Sequence, residues 1–551
     1  MTSVVTAGGI SVTIRGVVVD ESETVLDRLV SDGVPGALAS RNAKLWGPDA
    51  APLAARRLGW LGLPETSRYL RDRLAGPAAD ARDAGLDRIV LVASGGTALA
   101  AEAMCRTAGR DLVVLDTTDP HEVSGVLAGD LDRTLVVVAD DGVEAESLRR
   151  VFGRAFSEAG LSGAELARRF VVVAEEDSQL AQAAREVGHH LVLAEPDVDD
   201  RFGALGARAL VPAALAGVDI DAVLEEASRL AAALRQPYDN PALAFGAALG
   251  SSALGPRDKL VIADLGSGLA SFAAWAEQLV AGAMGKDGKG MLPVVVEGVD
   301  SPGFELTDDL RRIILGRRPD EPGPGREAGV SVAGPLGAQF LLWEYAVAVA
   351  CRVIGVDPFA EPDTGQSRES TAALLRSEEG TAPTVVRRPP ELVEGAVELH
   401  TPEDALGGAQ TLTEALGTIL EGVEDGGYLA VLAYLDRSAD AAAAGLRPLL
   451  AARGAKVRRH PAPVTFGWGP RYLHTAGQYH KGGPAKGAFL QITGAAAGDV
   501  AVPGRPYSLG ELQLAQAFGD LRVLRSLGRP AFRLHLRDRA EGLAQLTAAL
   551  G

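Results

Sequence analysis

Five short runs of consecutive apolar residues, each rich in Val and Leu, follow Asp87: DRIVLVA, DLVVLDT, DRTLVVVAD, RRFVVVAEE and HHLVLAE. Helix-like segments separate most of them. A strand that is apolar at every position, not at every second one, must be covered on both faces. Such strands, alternating with helices, form a parallel sheet. The chain is therefore expected to be α/β, built from doubly wound parallel sheets. A second series of the same kind begins at Asp258 with DKLVIADL and continues through AAWAEQLVAGAMG, MLPVVVEGVD, VSVAG and GAQFLLWEYAVAVACRVIG. A third contains TLTEALGTILEGV, YLAVLAYL, GAFLQIT, ELQLAQAFGDLRVLRSLG and AFRLHLR. It forms a third domain or completes the second sheet, and both arrangements remain open from sequence.

The expected division is an N-terminal helical segment over 1–85, opening with a short β-like stretch, and a first α/β domain with trailing helices over 86–255. A second α/β domain covers 256–400 and a C-terminal α/β extension covers 401–551. The Pro- and Arg-rich stretch 377–400 reads as a linker. Trp46 and Trp60 read as core anchors of the N-terminal helices. His189 and His190 begin a strand and lack acidic or thiol partners at metal spacing, so no metal site is expected there.

The 551 residues carry a net charge of −18, which argues against a nucleic acid or an anionic membrane as partner. Cys105 and Cys351 are the two cysteines, which fits a reducing compartment and excludes a disulfide scaffold. The N-terminal MTSVVTAGGISVTIRG has no charged segment followed by an apolar one, and no apolar run of membrane length is free of charge. The expectation is a cytoplasmic globular protein.

Chemistry concentrates in Gly469–Ala485, GPRYLHTAGQYHKGGPA. With eight histidines and seven lysines in the whole chain, His474, His480 and Lys481 fall within eight residues. Interleaved glycines let a backbone approach a ligand closely, and Arg471 and Lys481 are cations of the kind that hold a phosphate or carboxylate. A polar loop between two strands is the bland alternative. Earlier, Ser94-Gly95-Gly96-Thr97 follows a strand and opens a helix, where backbone N–H groups cradle anions.

These motifs carry a family likeness. VASGGTALAAEAM and VVLDTTDPHEV resemble the first sugar-isomerase (SIS) domain of phosphoglucose isomerase, and more specifically the isomerase half of fused transaldolase–phosphoglucose isomerases. DRFGALGARALVPAALAGVDI, WAEQLVAGAMGKDGKGMLPVVVEG, LGAQFLLWEYAVAVACRVIGVDPFAEPD and GPRYLHTAGQYHKGGPAKGAFLQIT continue it in collinear order between about Lys44 and Leu536. The resemblance implies two SIS domains and, in active members, interconversion of glucose 6-phosphate and fructose 6-phosphate. It implies Arg201, His480 and Lys481 as catalytic groups: His480 for ring opening, Arg201 and Lys481 for the enediolate or phosphate. Ser94, Gly95, Gly96, Thr97, Arg471, His474 and Gln478 are then the substrate-binding set. No metal and no cofactor are called for.

The sequence also departs from the family pattern. Where active relatives place a Ser-Lys-Ser-Gly-x-Thr phosphate loop, this chain has Ala139-Asp140-Asp141-Gly142-Val143-Glu144, whose acids repel a dianion. The family's base lies in Glu-Ser-x-Gly-Lys, which here reads Gly282-Ala283-Met284-Gly285-Lys286. Glu277 lies roughly 140° away around a helix and should not substitute for it. Gly-Gly-Arg becomes Asp199-Asp200-Arg201, and a lysine becomes Arg368, which cannot deprotonate near neutral pH. Two functions follow: an active glucose-6-phosphate isomerase with an unrecognised base, or a degenerate relative that binds a sugar phosphate and acts as regulator or scaffold. The expected partners are a sugar phosphate, a second copy of the chain, or another sugar-phosphate enzyme.

Overall fold

A computed structural model describes the chain except residues 306, 308, 318–328, 377–388, 403–404 and 459–460. Three sheets hold its strands. The apolar runs after Asp87 form β3 (Arg88–Val92), β4 (Val113–Leu115), β5 (Thr134–Val138), β6 (Phe170–Ala174) and β7 (His190–Leu193), all parallel, in the order β4-β3-β5-β6-β7. Numbered within the sheet, the order is 2-1-3-4-5, so the connections leave β3 and β5 in opposite directions. A crevice opens there, beyond their carboxyl ends, where ligands of such sheets bind. Ser94 and Asp140 follow these two strands.

The second sheet has the order β1-β2-β11-β10-β8-β9. β8 (Lys259–Asp264), β9 (Leu292–Val295), β10 (Leu310–Leu315) and β11 (Gly329–Ala333) run parallel. β1 (Thr2–Ala7) and β2 (Ile10–Arg15) are a hairpin at the opposite end of the chain, and β2 pairs antiparallel with β11. The helix Leu336–Ile354 is long and apolar enough to cross a membrane by composition, and it is buried here against the helix Pro241–Leu254. β10 is absent from the sequence reading because its second and third residues are arginines. Arg311 is nonetheless buried, with Nε donating to Ser252 Oγ at 2.8 Å and Nη2 paired with Glu21.

The C-terminal residues build a sheet of their own, in the order β12-β13-β17-β16-β14-β15. It comprises β12 (Leu392–Glu394), β13 (Val397–His400), β14 (Tyr428–Tyr434), β15 (Val464–Trp468), β16 (Gly487–Gly494) and β17 (Ala531–Leu536). Of the expected linker, 377–388 lies outside the described residues, while β12 and β13 correct the remainder into a hairpin that pairs with β17. Trp60 is fully buried and packs on Phe202 and Tyr345, and Trp46 donates to Ala348 O at 2.9 Å. His189 is buried beside Phe170, with Nδ1 3.2 Å from Ala167 O.

Candidate functional site

Gly95 has φ +59, a left-handed conformation that turns the chain from β3 into the helix Gly95–Thr107 and aims its first N–H groups into the crevice. Those groups are already occupied. Gly96 N and Thr97 N donate to the Asp200 carboxylate at 2.7 and 3.0 Å, and Thr97 Oγ1 donates to it as well. Gly96 admits no side chain, since a Cβ would lie 2.4 Å from Asp200 O. Asp140 accepts from Gly142 N at 2.9 Å and from the Ser94 hydroxyl. Burial raises the Asp200 carboxyl pKa, the Thr97 hydrogen bond and then the charge of Arg208 oppose that, and the charges of Asp140 and Asp199 add to it.

Arg201 follows in a short turn and is nearly enclosed. Its Nε and Nη2 form a fork on Asp199 at 2.8 and 2.9 Å, Nη1 donates to Gly282 O at 2.9 Å, and Nη2 donates to Phe359 O at 2.7 Å. Burial opposes its charge, yet Asp199, followed by Glu361 and Asp200, outweighs this and raises the guanidinium pKa. Its aliphatic stem lies over the helix Phe272–Met284 so closely that a Cβ on Gly282 would sit 2.8 Å from Arg201 Cδ. The space a residue at 282 would need is therefore filled by arginine. Lys286 donates to Asp357 O and Ala360 O at 2.8 and 2.6 Å, and burial, then Arg201, brings its pKa down to about 8. Burial also pushes Glu277 up to about 8, but Glu277 does not line the cavity described below.

Gly469–Ala485 is not a loop. It folds into a tight turn, Arg471–His474, and a short helix, Gly477–Gly482, in which His480 and Lys481 are buried. Lys481 Nζ lies 2.7 Å from Asp520 Oδ1, and Ser367 and Tyr472 complete that carboxylate at 2.9 and 2.6 Å. His480 Nδ1 shares a 3.0 Å hydrogen bond with the Tyr428 hydroxyl, and burial, then the charge of Lys481, drops its pKa to about 3. The imidazole is thus held neutral, enclosed between the Tyr428 and Phe489 rings. Arg471 is held by Asp116 at 2.5 Å and Glu102 at 3.1 Å. Gln478 Nε2 donates to Asp363 Oδ2 at 2.6 Å and Gly285 O at 3.0 Å. His474 Nε2 lies 3.4 Å from Glu144 Oε1. Burial lowers its pKa, but Glu144 and then Asp140 outweigh that and bring it to about 9.

These walls enclose a cavity of about 480 Å³. Ser94, Arg201, His474, Gln478 and Lys481 line it, together with Asp140, Asp141, Glu144, Asp200, Glu361, Arg368 and Gln516. Thr97 faces an adjoining cavity of about 400 Å³ that shares Asp141, Asp200, Arg208 and Glu361. Gly95, Gly96, Arg471 and His480 line neither. Glu361 and Gln516 were not singled out from sequence, although both lie in segments quoted above, because residue order does not show that those segments meet at this cavity. Asp200 carried one legible signal, an acid where the family pattern has glycine.

A probable glucose-6-phosphate isomerase from Haloarcula marismortui is 28% identical over 361 residues, spanning 55% of this chain and 80% of that protein. A glucose-6-phosphate isomerase from Rubrobacter xylanophilus is 32% identical over 257 residues, spanning 43% of this chain and 58% of that protein. The crystal structure of a glucose-6-phosphate isomerase from Chlamydia trachomatis superposes with a TM-score of 0.52 at 17% identity, over 70% of this chain and 92% of that one. These likenesses support the assignment of the chain to the phosphoglucose isomerase family. No protein-family model matches the chain. In this chain's cavity the donors at the first helix N-terminus, Arg201 and Lys481 are each engaged by the protein's own acceptors.

Proposed function

We propose that this glucose-6-phosphate isomerase family member binds a ligand in its cavity without isomerising it, and acts in the cytoplasm as a regulator or scaffold beside a sugar-phosphate enzyme. The observation that carries this is the seat of Arg201. Aldose–ketose isomerisation needs a carboxylate that moves a proton between C1 and C2, and the family resemblance puts it at residue 282. Here that residue is glycine, and Arg201 Cδ stands 2.8 Å from where its Cβ would be, with the guanidinium fixed by Asp199 and Gly282 O. No relaxed carboxylate fits.

The other candidates fare no better. His480 is enclosed and neutral, Glu277 lies off the cavity, and His474 carries a proton at neutral pH. The sugar phosphate expected from the family finds Asp140 and Asp141 where its phosphate loop would be. One observation favours the active-isomerase reading: Ser94, Arg201, Gln478 and Lys481 do converge on a cavity of sugar size. A coupled assay of glucose 6-phosphate to fructose 6-phosphate at micromolar protein separates the two. The expected result is no turnover above background. A kcat on the order of 1–10³ s⁻¹, the ordinary enzyme range, would establish the isomerase and a base elsewhere.

A further inference from the structure

We infer that Asp200 is an anion built into the protein, seated where a ligand's phosphate would bind, and that it sets the charge of the ligand the cavity admits. This rests on the binding role proposed above. The helix Gly95–Thr107 has 13 residues, long enough to present a favourable N-terminus to an anion. An anion already occupies it. The Asp200 carboxylate takes Gly96 N at 2.7 Å, Thr97 N at 3.0 Å and the Thr97 hydroxyl. That is a three-donor cradle around one carboxylate, reached across 104 residues of sequence.

The residue placed to cap this helix locally is Ser94, yet its side chain makes no capping hydrogen bond and donates to Asp140 instead. The donors are thus reserved for the remote carboxylate. Its turn cannot withdraw, because Gly96 packs directly on Asp200 O and Arg201 is anchored on both sides. Asp200 also lines the main cavity beside Asp140 and Asp141, so a phosphate entering there meets the charge as well as the lost donors. Among the described residues, no cation pairs with any of these three carboxylates within 4.0 Å, and Arg208 acts on Asp200 and His474 on Asp140 only through charge at longer range. These acids offset the cations that line the same cavity, Arg208 and Arg368 among them, so it admits a neutral sugar as readily as a phosphorylated one.

Calorimetric titration of wild type and Asp200→Gly with glucose and with glucose 6-phosphate tests this at fixed ionic strength, with circular dichroism confirming the fold. Wild type should bind the two ligands within about threefold of one another. Asp200→Gly should bind glucose 6-phosphate about tenfold or more tightly than wild type does, with glucose unchanged, and inorganic phosphate should compete. Asp200→Asn, which keeps the side-chain volume, should show a smaller gain of the same sign, and it carries the test should the glycine variant not fold. A wild-type preference for glucose 6-phosphate of tenfold or more overturns the inference. An equal gain for both ligands also overturns it, since that reports only an enlarged cavity. A wild type that prefers the phosphate yet fails to turn it over sinks this inference and leaves the proposed function standing. Turnover removes the proposed function whatever the binding ratio.

Discussion

Along the first sheet, the cavity wall holds its acids by neutral donors: Asp200 on Gly96 and Thr97, Asp140 on Gly142 and Ser94. Across the cavity, the Gly477–Gly482 helix holds a buried ion pair, Lys481 with Asp520, inside a network of Tyr472 and Ser367. The first wall faces the cavity with Asp140 and Asp200, which pair with no cation within 4.0 Å among the described residues and feel His474 and Arg208 only at longer range. The second has its charge neutralised before any ligand arrives. Polar residues crowded into one stretch of sequence therefore did not mark the more exposed chemistry. The crowded segment is largely structural, and the plain turn Asp199-Asp200-Arg201 governs what the cavity can hold.

The comparison is sharpest in stability. Lys481→Ala should cost about 3–5 kcal/mol, because it leaves Asp520 buried without its partner. Denaturant unfolding measures this, and a loss near that of an exposed substitution would return Lys481 to the role of a free ligand-binding cation. For the same reason, a fall in ligand affinity in this variant reads as loss of fold unless the folded fraction is measured alongside.

The next effect is a reversal of sign. Glycine to alanine within a helix ordinarily gains stability, by roughly 1 kcal/mol. Gly282→Ala should instead lose about 1–3 kcal/mol by overpacking against the anchored Arg201, as thermal or chemical unfolding will show. Gly282→Glu should lose more and gain no isomerase activity. A stabilised Gly282→Ala would mean that Arg201 moves aside freely, and the first wall would then be as adaptable as an open binding site.

The smallest effect is in pH, where His474 and His480 pull in opposite directions. His474 has a folded pKa near 9, above its ordinary value, so it contributes stability that is complete below about pH 6.5 and lost as pH rises through about 9. His480, with a folded pKa near 3, contributes stability that is present above about pH 6.5 and lost as pH falls toward about 3. Glu144→Gln removes the negative charge that His474 faces and should abolish about 1–2 kcal/mol of the alkaline loss while leaving the acid limb intact. Proton-resolved histidine titrations in wild type and variant check both values. An alkaline limb that persists unchanged in Glu144→Gln would place the responsible group elsewhere.

Sheet membership was legible wherever a strand is apolar throughout. β3, β5, β6, β8 and β14 are each buried along nearly their whole length, so the run of Val and Leu is the record of two covered faces. β10 was not legible, because Arg311 is paid for by Glu21, which lies 290 residues earlier. The paired hairpins β1–β2 and β12–β13 were legible at most as extended segments, and their attachment to β11 and β17 was not. Of the site, Ser94 could be read from a glycine pair after a strand. The burial of His480 could not be read, since the Tyr428 and Phe489 rings that enclose it come from other strands.

By itself, the sequence determined the parallel α/β architecture, the likeness to phosphoglucose isomerases, and the absence at residue 282 of a carboxylate, because each of these is recorded in local residue type and order. Only the tertiary structure decided that Arg201 fills the space above Gly282, that Asp200 occupies the helix N-terminus at Gly96, and that Lys481 is spent on Asp520. Each is a contact between segments distant in sequence. The competition between a ligand and the protein's own groups for the same donors is settled by distances of about 3 Å, which residue order does not encode.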